Sequence, residues 1–154
     1  MPEMSRGIGT DDRVEILLVE DNPGDVRLVE TGLERTDSEV ELHTVANGYE
    51  ALYFLRDRST TESVSLPDLL LVDLNVPGKD GCEILEAIRG DPQLRRLPVL
   101  ILTSSEAPRD IARCYDSHAN AYLTKPADPD AFGSLIETME RFWLDRVQLP
   151  PLPE

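Results

Sequence analysis

An α/β fold on a parallel sheet is predicted by two observations. Short strand-like runs, several aliphatic throughout, alternate with segments whose apolar residues recur at helical spacing. Strands apolar on both faces belong in a sheet covered by helices on both sides. Size agrees: 154 residues, 40% hydrophobic and 29% charged, fit one globular domain. Such a chain buries roughly 70% of its unfolded surface and needs no staples.

The elements follow in order. Residues 1–13 read as a flexible, polar leader without the apolar core of a secretory signal. Glu15 to Val19 is a buried strand, and Asn22-Pro23-Gly24-Asp25 is a turn that starts a helix carrying Val26, Val29 and Leu33. Val40 to Val45 alternates roughly and reads as a second strand. Asn47-Gly48 turns the chain into a helix marked by Ala51, Leu52 and Leu55, and Ser59 to Pro67 is a polar loop. Leu69 to Val72 is a third strand, ending at Asp73, with a loop over Asn75 to Gly81 and a helix through Ile84, Leu85 and Ile88. Pro98 to Leu102 ends at Thr103, and a fourth helix is expected over Pro108 to Asp116. Ala121 to Thr124 ends at Lys125-Pro126. Asp128-Pro129 then opens the last helix, with an acidic cap and Pro in the first turn. Phe132, Leu135, Ile136, Met139, Phe142 and Trp143 are expected along one side of it, with Phe142 in the core and Trp143 toward the surface. The segment 148–154 is a Pro-rich tail that cannot stay helical. It reads as a frayed terminus or an extended recognition segment. The residues after Lys125 suffice for one helix and that tail, which leaves no room for a helix-turn-helix output module.

Charge narrows the function. With 15 basic against 30 acidic residues, the net charge is -15. Such a surface repels phosphate backbones and anionic membranes, so neither nucleic acid nor membrane is an expected partner. No run approaches the ~18 apolar residues of a membrane span. Lys79 and Lys125 are the only lysines; the other basic residues are arginines. Strong acidity with so little lysine resembles proteins of salt-loving organisms, or is simply that of an acidic cytoplasmic protein. Cys82 and Cys114 form neither a disulfide framework nor a metal spacing, which fits a reducing, cytoplasmic setting.

The chemistry lies at one edge. Open parallel sheets bind ligands outside the carboxyl ends of their strands. Glu20 and Asp21 follow the first strand, Asp73 the third, Thr103 the fourth and Lys125 the fifth. Three carboxylates held together repel one another without a cation, and an all-oxygen set suits Mg2+. A cation would neutralise an incoming phosphoryl group, whose transfer needs positioning more than covalent protein chemistry. Asp73 would be the nucleophile, Thr103 a hydrogen-bond donor to the phosphoryl group and Lys125 its compact point charge. Taken singly, each is an ordinary loop, turn or capping residue. Only their convergence on successive strand ends carries the reading.

The chain resembles the response-regulator receiver domains, the CheY-like family, from about Val14 to Val147. The resemblance rests on Val19-Glu20-Asp21-Asn22, Leu71 to Gly81, Leu102-Thr103-Ser104 and Ala121 to Pro126. It implies a flavodoxin-like, doubly wound sheet of order 2-1-3-4-5 in a receiver domain spanning 14–147. It implies phosphorylation of Asp73 by a sensor histidine kinase, and Mg2+ held by Asp21, Asp73 and the Asn75 backbone carbonyl with help from Glu20. It also implies a switch made of Thr103 and Tyr122, and often a cis peptide before Pro126. Ser104 stands where the family frequently has Ala. The stretch from Cys114 to Tyr122, with Phe142-Trp143-Leu144, is similar to stand-alone regulators that partner phytochrome-type kinases. Those can dimerise through helix four, strand five and helix five. The expected function is thus a phosphorylatable switch that assists only its own phosphotransfer and dephosphorylation. A phosphate-independent binding module is the alternative. An Asp-nucleophile phosphohydrolase would need an acid/base carboxylate near Asp73, and position 75 is Asn. His43 and His118, far apart in sequence, are not expected to be ligands.

Overall fold

The computed structural model describes residues 13–151 except 37 and 62; the expected leader lies almost wholly outside this range. Strands and helices alternate, each strand followed by a helix after a connecting segment. The elements are β1 (Val14–Val19), α1 (Pro23–Glu34), β2 (Val40–Val45), α2 (Gly48–Ser59), β3 (Leu69–Val72), α3 (Gly81–Arg89), β4 (Val99–Thr103), α4 (Pro108–Asp116), β5 (Ala121–Thr124) and α5 (Pro129–Asp145). The strands form one parallel sheet in the order β2-β1-β3-β4-β5. This is the doubly wound order that the resemblance implies.

Strand alternation sorts the core into two layers. Leu17, Val19, Leu70, Val72 and Ile101 face α2, α3 and α4, against Leu52, Leu55, Ile84, Ile88 and Cys114. Ile16, Leu18, Leu69, Leu71, Leu100 and Leu102 face α1 and α5, against Val29, Leu33, Phe132, Ile136 and Met139. The central strands β3 and β4 are buried along their whole length, whereas the edge strands β2 and β5 are half-buried. Edge position explains the rough alternation of Val40 to Val45.

Local sequence sets the helix ends. Asn22 accepts from the backbone N–H groups of Gly24 and Asp25, Asn47 from Glu50, and Asp128 from Ala131. Asp80 and Glu83 form a reciprocal capping box at α3. These bonds satisfy donors that a helix start leaves unpaired.

Two expectations are corrected. Phe142 is 56% exposed, while Trp143 packs against the α1/α5 layer. Helical periodicity gives the reason. At about 100° per residue, Trp143 falls within about 20° of Phe132, and Phe142 about 80° away on the other side. The Lys125–Pro126 bond is trans, as is every other peptide bond among the described residues. Trans is the lower-energy form of an X–Pro bond. The tail is placed as far as Pro151, where Pro150 and Pro151 line a shallow cleft with Leu66, Leu97 and Pro98.

Candidate functional site

The four strand ends deliver their residues to one edge. Glu20 follows β1, and its backbone N–H bonds to the Val45 carbonyl at the end of β2. Asp73 follows β3, tied back to β1 through its N–H to the Val19 carbonyl at 3.0 Å. The backbone N–H of Lys125 bonds to the Thr103 carbonyl at 2.7 Å, which joins the ends of β4 and β5. Backbone pairing in the sheet therefore fixes the spacing of the functional side chains.

Lys125 is the hub. Its Nζ donates to Glu20 Oε1 at 2.6 Å, Asp25 Oδ2 at 2.8 Å and Asp73 Oδ2 at 3.2 Å. An ammonium has three N–H donors and no acceptor, so each donor has one carboxylate. The side chain is only 6% exposed. Burial works against its charge, yet the hydrogen bonds it donates to Asp25 and Glu20 and the nearby Asp73 charge hold its pKa well above the ordinary range. Burial raises the pKa of Glu20, and repulsion from Asp73 adds to this; the bond from Lys125 opposes both. Glu20 Oε2 accepts from the Asn22 backbone at 3.1 Å, and Asp73 Oδ1 from the Asn75 backbone at 3.3 Å.

Glu20, Asp21 and Asp73 each offer a carboxylate oxygen, and these oxygens lie within 4.8 Å of one another. Glu20 and Asp73 are buried and Asp21 is exposed. Inner and outer carboxylates converging at a solvent-open edge fit a divalent cation that keeps part of its water shell. One ammonium does not neutralise the whole set.

Thr103 is fully buried, and its Oγ1 accepts a long bond of 3.4 Å from the Ser105 backbone. The Tyr122 hydroxyl donates to the Ser105 carbonyl at 2.9 Å. Both residues named as a switch thus meet the same β4–α4 loop. Burial of the Tyr122 phenol raises its pKa. Ser104 is exposed beside them.

Asp25 is the site residue that sequence reasoning missed. In Asn22-Pro23-Gly24-Asp25 it reads as a helix-start charge. The available signal is that α1 begins three residues beyond β1, so its first turn must stand at the same edge. His43 has close carboxylate neighbours. Its Nε2 lies 2.7 Å from Glu15 Oε2 and 3.3 Å from Glu41 Oε2. Parallel pairing of β1 with β2 creates this neighbourhood from residues distant in sequence. Arg58 also bonds to Glu15 at 2.6 Å and Arg13 pairs with Glu41, so arginines already meet both carboxylates. His118 lies apart, in the α4–β5 turn at φ 71°. Cys82 and Cys114 are both buried and their Sγ atoms meet at 3.1 Å, bridging α3 and α4 as free thiols.

A doubly wound parallel sheet with an Asp at the end of its third strand, carboxylates after its first and a Lys after its fifth defines a receiver-type phosphoacceptor domain. The model of the response regulator receiver domain family matches residues 16–137, and the chain belongs to that family. It is similar to the response regulator Rcp1 of Synechocystis sp. (strain ATCC 27184 / PCC 6803 / Kazusa). The two are 40% identical over 135 residues, covering 88% of this chain and 92% of that protein. Among solved structures it is similar to the phosphorylated cyanobacterial phytochrome response regulator RcpA. That match has 41% identity and a TM-score of 0.84, covering 90% of this chain and 99% of that one. It is also similar to the Mn(2+)-bound form of Rcp1, with 39% identity, a TM-score of 0.82 and the same coverage. No helix among the described residues is long and apolar enough to cross a membrane.

Proposed function

We propose that the chain is the phosphoryl-accepting switch of a two-component relay and that Asp73 is its acceptor. The observation that carries this is Asp73 at the carboxyl edge of the sheet, 3.2 Å from the Lys125 ammonium and beside the Glu20/Asp21 carboxylates. An Asp73 carboxylate oxygen attacks the phosphorus of the kinase's phosphohistidine. The new O–P bond replaces the P–N bond, whose electron pair stays on the imidazole. Lys125 pairs with one phosphoryl oxygen, and the buried Thr103 hydroxyl turns to donate to another. Asp21, Asp73 and the Asn75 carbonyl, with Glu20 beside them, would hold Mg2+, which when bound supplies charge neutralisation of the phosphoryl oxygens.

Movement of Thr103 pulls on the β4–α4 loop whose Ser105 carbonyl anchors Tyr122. The ring is then released to turn inward, and the surface of α4, β5 and α5 changes. That surface is the output, met by a protein partner or by a second copy of the chain. The likeness to RcpA and Rcp1 supports a phytochrome-type sensor histidine kinase as the donor. The chain assists its own phosphotransfer and dephosphorylation and turns over no external substrate.

The test is intact mass after incubation with Mg2+ and acetyl phosphate. Wild type should gain one phosphoryl group, and Asp73→Asn should gain none. No gain by a folded, Mg2+-binding wild type would favour a phosphate-independent module. Size-exclusion chromatography of both states then reads self-association through the α4–β5–α5 face.

A further inference from the structure

Lys125 has three carboxylate partners, and they are not equivalent. On the reading of the site given above, Glu20 and Asp73 also belong to the cation's oxygen set, and Asp73 is itself esterified in the product. Asp25 is neither. Its Oδ2 accepts from Lys125 Nζ at 2.8 Å, from the first turn of α1. It is absent from the group of carboxylates whose oxygens converge. An ammonium on a four-carbon stem needs a fixed anion to hold its position. When cation and phosphoryl group draw on Glu20 and Asp73, one carboxylate partner is left for Lys125.

We infer that Asp25 is the positioning residue for Lys125, the partner outside the cation set that keeps the ammonium aimed at Asp73 throughout phosphoryl transfer. Without Asp25, Lys125 would lean further on Glu20 and Asp73 and compete with the cation for both. The donor's P–O bond breaks to release acetate and the Asp73 O–P bond forms whether or not Asp25 is present. Asp25 affects how often Lys125 stands ready when this happens.

Two readouts test this in wild type, Asp25→Asn and Asp25→Glu. The first is the rate of phosphoryl acceptance from acetyl phosphate at saturating Mg2+, followed by intact mass. Asp25→Asn should be slowed roughly three- to tenfold, the scale of one charge-assisted hydrogen bond at a partly exposed site. Asp25→Glu should recover much of the rate. The second readout is the Lys125 ammonium 1H–15N resonance, without ligand and with Mg2+ plus beryllofluoride. Its assignment is simple because Lys79 is the only other lysine. In wild type the signal should persist in both states, and in Asp25→Asn it should broaden or vanish in the loaded state. A role limited to anchoring α1 would lower the unfolding midpoint yet leave rate and resonance as in wild type. Such a result, or an Asp25→Asn variant matching wild type in every respect, overturns the inference. Failure of wild type to accept a phosphoryl group at all overturns the proposed function, and the positioning role with it.

Discussion

At the scale of single residues, the buried groups set clear expectations. Burial pushes the Cys114 thiol up to about 12 from 9.0, and the facing Cys82 adds to this. A folded-state pKa raised above the unfolded value gives stability that is complete below pH 9. That stability is lost as pH rises toward 12, because the unfolded chain releases the proton first. Denaturant midpoints should therefore fall across this window. Lys125, also raised, adds its own loss from 10.5 upward. Comparison with Cys114→Ala isolates the thiol: the gap between wild type and variant should narrow as pH climbs. Below pH 9 both thiols should react with a disulfide reagent only on unfolding, since thiolate and access are both lacking. Gly48 makes a sharper demand. A Cβ there would sit 2.1 Å from the Lys79 carbonyl, which is backbone and cannot swing away. Gly48→Ala should cost about 2–4 kcal/mol by chemical denaturation and disturb the β3–α3 loop that carries Asn75. At this scale the site was largely legible. Glu20, Asp21, Asp73, Thr103 and Lys125 each follow a recognisable strand, and strand ends share an edge. Asp25 was not legible, because a helix-start acid has the same sequence appearance whether it faces water or a lysine.

At the scale of elements, one arginine holds together what regular pairing leaves loose. Arg89, at the end of α3, donates to the carbonyls of Arg95, Leu97 and His118 and to Asn120 Oδ1. It thereby ties the α3–β4 loop to the α4–β5 turn, and burial lowers its pKa. A planar five-donor fork can reach all four acceptors and an ammonium cannot. Arg89→Lys should therefore restore little of the stability that Arg89→Ala loses, about 2–3 kcal/mol by thermal or denaturant unfolding. Element positions were easier to read than faces. Branched runs and Asn, Asp and Pro starts located the strands and helices closely. Assigning Phe142 and Trp143 required the phase of a long helix, and an error of one residue turns a side chain by about 100°.

At the scale of the whole molecule, a net charge of -15 on one small domain stores self-repulsion. Salt screens it: the Debye length falls from about 30 Å at 0.01 M to about 3 Å at 1 M. The melting temperature should rise steadily with KCl if the acidic surface is an adaptation to salt, and a flat curve in differential scanning calorimetry would remove that reading. The parallel sheet has a further consequence, which concerns time. Lys125 and Glu20 are ion-paired across 105 positions of the chain. A ribosome makes β1 long before β5, and contacts this distant are closed late because loop entropy must be met first. The nascent chain thus carries Asp73, the proposed acceptor, well before it carries the Lys125 ammonium that pairs with it. On the function proposed above, a growing domain would be unable to take up a phosphoryl group until Lys125 has been made and β5 has joined the sheet.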